Sequence, residues 1–331
     1  MTQLSLDTVP SEVCPYVDFI DDGDNHCNNY GMASVEYQPL GEDSEDHQFQ
    51  MASVEGPYLH TVTAVAQPLP ELPVYVPGIQ KGSSKLFTRT PPAWVGVHLA
   101  EVVSTDKLLT PADVRRRMGV PASTKLLLLA YGKDRLIENI WPRRGDVLRR
   151  LAALGFDLVT SINYSIWDIH PHPEKIFNVK RSLVIYEEMQ ALGIPAVPHV
   201  YWYSRNSMAM WASWLNDNSV VHAIAIDAQT LKATDWTTFA DELRAFRAQL
   251  NRPIHFIITG PVAPSRIAEL RHIVGSFTLT NSYAGQCAWH RTGLELVDDQ
   301  LVTIAPTQDI AKLFDGNVAT FNQLMTTFGR R

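Results

Sequence analysis

The sequence predicts an α/β fold, a (β/α)8 TIM-barrel-like domain that follows an acidic N-terminal extension. From Trp94 onward, short apolar segments alternate with helical segments. This makes eight strand–helix units in about 240 residues, close to the roughly 250 residues typical of such a barrel. Several segments, such as Leu126–Ala130 and Phe256–Ile258, are apolar at every position, as expected of parallel strands buried on both faces. The alternative is an open doubly wound sheet. Its nucleotide-binding forms are disfavoured because the chain has neither a Gly-x-Gly-x-x-Gly turn nor a Gly-Lys-Ser/Thr loop.

The distribution of charge divides the chain near residue 80. Residues 1–80 contain no Lys or Arg but 13 of the 35 acidic residues, so all 28 basic residues lie in residues 81–331, against 22 acidic ones. We therefore assign residues 1–80 to an acidic N-terminal extension, partly extended or disordered, and residues 81–331 to the barrel domain. The opposite net charges of the two parts predict that they attract each other.

The extension changes character along its length. Residues 1–56 are polar and acidic, whereas Leu59–Ala66 is strand-like and is followed by four prolines before residue 80. We interpret residues 58–79 as an extended strap that lies against the barrel and ends in a turn at Pro77-Gly78.

Within the barrel domain, strands and helices alternate. The predicted strands are Trp94–Val103, Lys125–Tyr131, Asp157–Asn163, Pro195–Tyr201, Val220–Asp227, Ile254–Thr259 and Ser276–Asn281, with an eighth within Leu294–Ala305. Thr110-Pro111 supplies an N-cap and a first-turn proline for the first helix. Glycines are predicted to end this and later helices, at Gly119, Gly155, Gly193 and Gly275.

The composition indicates a cytoplasmic protein. Three Cys form no disulfide framework, and an odd number favours a reducing compartment. The N-terminus lacks a basic region followed by an apolar run, and no apolar stretch approaches the roughly 20 residues that cross a bilayer. We therefore predict a cytoplasmic location and no membrane partner. The sequence does not determine the oligomeric state.

Polar residues at the ends of the predicted strands are the candidate catalytic groups, because chemistry in such barrels occurs at the carboxyl ends of the strands. Asp227 ends an apolar strand, where a buried carboxylate needs a partner or a function. His199 is a candidate base, or alternatively a hydrogen-bonded core histidine. The full set of catalytic candidates is Asp227, His199, Asn163, Asp168 and Glu101. For the carboxylates, the alternative roles are helix capping and ion pairing.

A second set of strand-end residues is predicted to bind substrate. Basic side chains could hold an anionic group, and aromatic side chains could stack on a base or a sugar ring, although core packing is the alternative for the aromatic ones. The members of this set are Lys133, Arg135, Tyr201, Trp202, Gln229, Asn281 and Arg181.

The His170-Pro-His172-Pro segment could form part of a metal site or a stiff surface loop. His199 could be a third ligand, but the prolines favour the loop and no carboxylate-rich cluster completes the set. We therefore predict no metal ligands. The cofactor, if the protein uses one, is not identified by the sequence.

Three stretches, Val159–Asp168, Asn178–Arg181 and Gly193–Trp202, resemble an uncharacterised prokaryotic and phage family. Its members pair a strand ending in Asn/Asp-x-Ser with an Arg-bearing helix and a Gly-Ile-x-x-x-Pro strand that ends in an aromatic residue. The resemblance covers residues 125–285. It implies a phage or mobile-element setting, and it draws attention to Asn163, Ser165 and Arg181.

The sequence is consistent with two functions. The first is a hydrolase or glycosyl-transfer enzyme that acts on a nucleotide, nucleic-acid or sugar substrate at the strand ends, with Asp227 as acid, base or nucleophile. The alternative is a non-catalytic protein of a phage or mobile element that binds nucleic acid or protein and is regulated by its acidic N-terminal arm. Polar strand ends that meet at an open pocket would favour the enzyme, and a mouth filled by aromatic side chains would favour the binding protein.

Overall fold

Eight parallel strands form a single sheet that nearly closes into a barrel. The structure, a computed structural model, describes residues 51–80, 83–87, 91–103, 110–167, 170–304 and 309–327. The barrel strands are β1 Tyr75–Ile79, β2 Trp94–His98, β3 Lys125–Leu129, β4 Leu158–Thr160, β5 Ala196–Val197, β6 Ala223–Asp227, β7 His255–Thr259 and β8 Phe277–Asn281. Their order in the sheet is β5-β4-β3-β2-β1-β8-β7-β6. The predicted (β/α)8 TIM-barrel-like fold is confirmed.

The two ends of the sheet meet between β5 and β6. A parallel bridge joins His199 to Ala225. The Val200 N–H donates to the Ala225 carbonyl oxygen at 2.9 Å, and the Ala225 N–H donates to the Pro198 carbonyl oxygen at 2.9 Å. These bonds close the barrel directly below His199, so the residues after β5 are fixed against β6.

Helices connect the strands on the outside of the barrel. They are α1 Pro111–Met118, α2 Asp134–Glu138, α3 Arg144–Ala153, α4 His172–Ala191, α5 Arg205–Asp217, α6 Trp236–Gln249, α7 Pro264–Val274, α8 Tyr283–Trp289 and α9 Ile310–Thr327. The predicted start of the first helix is confirmed, because the Thr110 hydroxyl accepts from the Asp113 N–H in a reciprocal capping box. Gly119 ends that helix in the left-handed conformation, with φ 71°. Among the described residues, no helix is long and apolar enough to cross a membrane.

The first barrel strand lies in a segment whose predicted structure was wrong. Pro77-Gly78 was predicted to be a turn at the end of a strap, but Tyr75–Ile79 is β1, fully buried between β2 and β8. Pro77 is aligned with Asn281, and Gly78 with Gly96. A Pro-Gly pair usually marks a turn because proline has no N–H for a sheet. The barrel therefore begins before residue 81, the boundary that the charge distribution suggested.

The predicted eighth strand is also corrected. The segment Leu294–Ala305 contributes to a separate two-stranded antiparallel sheet, β9 Gly293–Val297 and β10 Gln300–Ile304. The two residues that join them, Asp298 and Asp299, have φ values of 49° and 62°. Two positive φ angles in a two-residue loop are typical of a type I′ hairpin turn. The alternation of apolar residues was correct, but it belongs to a hairpin that packs against α9.

Residues 59–74, which we call the strap, lie against the outside and the amino end of the barrel. The Val65 N–H donates to Gln190 Oε1 at 3.0 Å, and Gln190 Nε2 donates back to the Val65 carbonyl at 2.8 Å. Leu69 and Leu72 pack against a cluster of barrel residues from β1 to β7 that includes Leu127 and Ile257. The strap therefore covers the amino end of the barrel.

Candidate active site

The centre of the candidate site is the pair Asp227 and His199. Asp227 is the last residue of β6, and its N–H donates to His199 Nε2 at 3.1 Å. One carboxylate oxygen of Asp227, Oδ1, accepts from the Gln229 N–H at 2.9 Å. The structure thus brings together three residues that the sequence singled out, at the carboxyl ends of β5 and β6.

The carboxyl group of Asp227 lies in an environment that disfavours its charge. Burial raises its pKa from 3.8 to about 6, and the hydrogen bonds from Gln229 oppose this rise only in part. No Lys or Arg in the described part of the chain forms an ion pair with it. A carboxyl group with this pKa exchanges its proton near neutral pH, as general acids and bases do.

His199 is neutral and holds its proton on the nitrogen that faces away from Asp227. Its side chain is buried, with 1% of its surface exposed, and burial lowers its pKa to about 3. Because Nε2 accepts a hydrogen bond, we assign the proton to Nδ1. Within the described residues, Nδ1 has no hydrogen-bond partner. A buried donor without an acceptor costs about 1–3 kcal/mol, so it suits an acceptor on a ligand or a water molecule.

Tyr131 forms the floor of the mouth. It follows β3, and its hydroxyl accepts from Thr259 Oγ1 at 3.3 Å, at the end of β7. β3 and β7 are four strands apart in the sheet, so the Tyr131 side chain spans the barrel. The imidazole of His199 packs between Tyr131, with ring centroids 5.0 Å apart, and Tyr201, at 5.4 Å. This stack holds the His199 ring in one orientation.

Gln229 provides a second buried donor beside Asp227. Its side chain lies close enough to Asp227 to help lower the pKa of that carboxyl group, but Nε2 makes no hydrogen bond of ordinary geometry among the described residues. The turn after β7 passes very close, because a Cβ on Gly260 would lie 2.6 Å from the Gln229 backbone nitrogen. Gly260 also has a φ of 115°, which L side chains rarely adopt, so only glycine fits there.

On the β1 side of the mouth, His98 and Ser282 form a further pair. His98 ends β2, and its Nε2 lies 3.3 Å from the hydroxyl oxygen of Ser282, the residue after β8. Burial lowers the pKa of His98 to about 4. β2 lies four strands from β6, so this pair faces Asp227 across the mouth.

Four residues predicted to bind substrate, Arg181, Trp202, Asn281 and Tyr201, instead make contacts within the protein. Arg181 donates to both carboxylate oxygens of Glu138, at 2.7 and 2.5 Å, and its guanidinium lies 3.6 Å from the centre of the Tyr164 ring. Trp202 donates to Glu242 at 2.8 Å and packs against α6. The polar atoms and rings of Arg181 and Trp202 therefore make contacts within the fold.

Asn281 is satisfied on both sides of its amide. Its Oδ1 accepts from the Tyr75 hydroxyl at 3.0 Å and from the Tyr283 N–H at 3.1 Å, and its Nδ2 donates to the Pro261 carbonyl at 3.0 Å. The hydroxyl of Tyr201 is likewise engaged, by Ser182 at 2.6 Å and by the Asn178 carbonyl.

The other predicted site residues lie after their strands as expected. Lys133 and Arg135 are exposed after β3, and Glu101 and Asn163 are half-buried after β2 and β4. Asp168 lies outside the described residues.

Four residues of the mouth were not selected from the sequence. They are His98, Tyr131, Thr259 and Ser282. The sequence contains a signal for His98 and Tyr131, because side chains two residues apart on a strand point to the same face of the sheet. Trp94, Gly96 and His98 follow each other at this spacing, as do Leu129 and Tyr131.

The histidines weighed as metal ligands do not assemble. His170 Nδ1 accepts from the Trp167 N–H at 3.3 Å, and His172 packs edge-on against Tyr203. His199 lies in the barrel mouth. The described residues contain no group of three His, Cys, Asp or Glu side chains that could hold a metal ion.

Two clefts lie away from the mouth. One is lined by the strap and the amino ends of β5 and β6, and the other lies between α3 and α4. Neither contains a residue of the mouth. The polarity and the perturbed pKa values of the mouth are therefore the reasons for placing the site there.

No protein-family model matches the chain, and no curated protein matches its sequence.

Proposed function

We propose that the barrel is an enzyme of the hydrolase or glycosyl-transfer type, in which Asp227 transfers a proton at the carboxyl ends of the strands. The observation that supports it is the carboxyl group of Asp227, which has its pKa raised to about 6 by burial and forms no ion pair with any described Lys or Arg. Such a group can protonate a leaving oxygen and later take a proton from water.

Neutral hydrogen-bond donors beside Asp227 favour an uncharged polyhydroxy substrate, such as a sugar ring. His199 Nδ1 and Gln229 Nε2 are both buried and lack acceptors among the described residues. Hydroxyl or carbonyl oxygens would satisfy them. Lys133 and Arg135, exposed after β3, could bind an anionic part of a nucleotide substrate.

Glycosyl transfer usually needs a second carboxylate. We propose Glu101 or Asp168 for this role. Glu101 follows β2, which lies across the barrel from β6, and Asp168 follows β4. In this scheme, Asp227 is the acid and the second carboxylate is the base or nucleophile.

The alternative, a binding protein controlled by its acidic arm, is favoured by the aromatic side chains of Tyr131 and Tyr201 in the mouth, but the basic surface that it requires has less support. Several basic residues that could form a polyanion surface are paired within the fold: Arg116 with Asp113, Arg144 with Glu188, and Arg150 with Asp146. Such pairing reduces the net positive charge of those faces. The phage or mobile-element setting also stays a prediction.

The test compares wild type, Asp227→Asn and Asp217→Asn on a panel of nitrophenyl glycosides and nucleosides. Asp217 is an exposed aspartate at the end of α5 and serves as the matched control. We expect Asp227→Asn to lose about 10²- to 10⁴-fold in kcat, the usual contribution of a positioned acid or base, and Asp217→Asn to stay near wild type. Full activity of Asp227→Asn on a substrate that the wild type turns over would refute this role.

A further inference from the structure

The hydroxyl of Ser282 and the imidazole of His98 form a nucleophile–base arrangement at the mouth. His98 Nε2 lies 3.3 Å from Ser282 Oγ, within reach of a proton transfer. Ser282 precedes α8 but makes no capping hydrogen bond. Among the described residues, its hydroxyl has no other hydrogen-bond partner than His98. The hydroxyl is therefore not needed to hold the local fold.

A glycine makes this contact possible. β1 lies between β8 and β2, and a Cβ on Gly78 would lie 2.5 Å from Ser282 Oγ. Real side chains essentially never approach so closely, so any larger residue would push the hydroxyl away from His98. The Pro-Gly pair in a buried strand is unusual, and this contact gives a reason for its glycine.

A second hydroxyl–imidazole pair shows what a structural version looks like. At the amino end of the barrel, His255 Nε2 lies 2.9 Å from Thr278 Oγ1. That hydroxyl donates to the Pro73 carbonyl at 2.8 Å, so its proton is committed and His255 must be the donor. Among the described residues, no carbonyl accepts from the Ser282 hydroxyl, so its proton can go to His98.

His98 is in the protonation state that a base needs. Burial lowers its pKa to about 4, so the imidazole is neutral at pH 7. We assign its proton to Nδ1, which makes Nε2 the acceptor for the Ser282 hydroxyl. The pair also lies at the carboxyl ends of the strands, where barrel enzymes bind substrate.

We propose that Ser282 is a nucleophile activated by His98, and that this side of the mouth transfers acyl groups from carboxylic esters. Ser282 Oγ attacks the ester carbonyl carbon while its proton moves to His98 Nε2. The carbon–oxygen bond to the alcohol then breaks, and the alcohol leaves with that proton. Water attacks the acyl-serine, releases the acid and restores the serine hydroxyl through His98.

This inference goes beyond the proposed function and does not use Asp227. The two activities have separate readouts, acylation of Ser282 and turnover of glycosides. Acylation without glycoside turnover would leave this inference standing and remove the other. Glycoside turnover without acylation would do the reverse.

The experiment treats the full chain with p-nitrophenyl acetate, follows nitrophenolate release, and maps acetyl groups by peptide mass spectrometry after an acid quench. We expect a burst of about one nitrophenolate per chain and an acetyl group on Ser282. Ser282→Ala should remove the burst, and His98→Gln should slow it by about 10²-fold or more. Ser276→Ala, which changes an exposed serine just before β8, should leave it unchanged.

A comparison of two serines within the wild-type chain gives a result that does not depend on whether the variants fold. In the wild-type chain, acetylation of Ser282 should exceed that of the exposed Ser276 by a large factor. Equal acetylation of the two serines, no acetyl group on Ser282, or an undiminished burst in a folded His98→Gln variant would overturn the proposal.

Discussion

At the residue scale, burial shifts the pKa of each of three ionisable groups in the mouth of the barrel in the direction that favours its neutral form. Asp227 has its pKa raised to about 6, while those of His199 and His98 are lowered to about 3 and 4. Desolvation is the largest cause in each case, and within the part of the chain that the structure describes no ion pair compensates for it at Asp227. Buried, imperfectly satisfied groups lower stability, so their presence together indicates a function for this end of the barrel.

The stability of the protein should record the raised pKa of Asp227. Because the folded state holds this proton more tightly than the unfolded chain, the contribution of Asp227 to stability is present below about pH 4 and is lost as the pH rises through 6. Asp227→Asn should therefore match wild type below pH 4 and be more stable above pH 6, by about 1–2 kcal/mol after allowance for partial exposure.

Urea unfolding of wild type and Asp227→Asn from pH 4 to 8 measures this difference. The lowered pKa values of His199 and His98 make both proteins less stable as the pH falls below 6.5. Because this contribution is the same in wild type and Asp227→Asn, it cancels in the difference between their free energies of unfolding. A difference that does not change with pH would show that Asp227 titrates normally.

At the element scale, the strap shows how a non-helical segment becomes part of a barrel. Its last residue, Val74, accepts from the Leu279 N–H of β8 at 2.9 Å, whereas side chains of α4, of α5 and of the residue after α5 bond the backbone of residues 62–65. Gln190 bonds both backbone groups of Val65, and Asn218 Oδ1 accepts from the Ala64 N–H at 2.9 Å. Trp214 Nε1 donates to the Val62 carbonyl at 2.8 Å. Leu69 and Leu72 then cover the amino end of the barrel.

The strap should depend on Gln190. Gln190→Ala removes two hydrogen bonds and leaves a buried gap on α4, since 6% of Gln190 is exposed. We expect a loss of about 1–2 kcal/mol, limited because water can reach Val65, and faster proteolysis within the strap. Gln249→Ala is the control, because that exposed side chain bonds only within its own helix, and it should change stability by less than about 0.5 kcal/mol. Equal stability of the two variants would show that the strap does not depend on this contact.

Much of the fold could be predicted because its signals are local. Apolar runs such as Leu126–Ala130 and caps such as Thr110 need only neighbouring residues, and both were correct. β1 was missed because its Pro-Gly pair has the local signature of a turn, and only its two flanking strands make it a strand. The sequence predicts a barrel strand where the hairpin lies, because the alternation of apolar and polar residues does not reveal which sheet a strand joins.

The site was predictable to the extent that strand ends indicate it. Asp227, His199 and Gln229 were found this way and are in contact. Side chains such as Arg181 and Asn281 could not be assigned, because their partners Glu138 and Tyr75 are distant in sequence. His98 and Ser282 were missed for the same reason, since 184 residues separate them.

At the scale of the whole molecule, the two ends of the barrel differ. The amino end is covered by the strap, and the carboxyl end combines neutral donors, an isolated carboxyl group and a serine–histidine pair. One closed sheet positions all of these groups, because the bridge between His199 and Ala225 completes the circle. The candidate chemical groups therefore all lie at one end of the barrel.

The proposed function depends most on Asp227 acting as an acid–base group, because burial in the barrel mouth raises its pKa. The most direct measurement is a carbon-13 NMR titration of the aspartate carboxyl groups, with the Asp227 signal identified by its loss in Asp227→Asn. We predict an apparent pKa of about 6 for Asp227, well above the roughly 4 of aspartate in model peptides. An Asp227 pKa near 4 would contradict its role as an acid–base group.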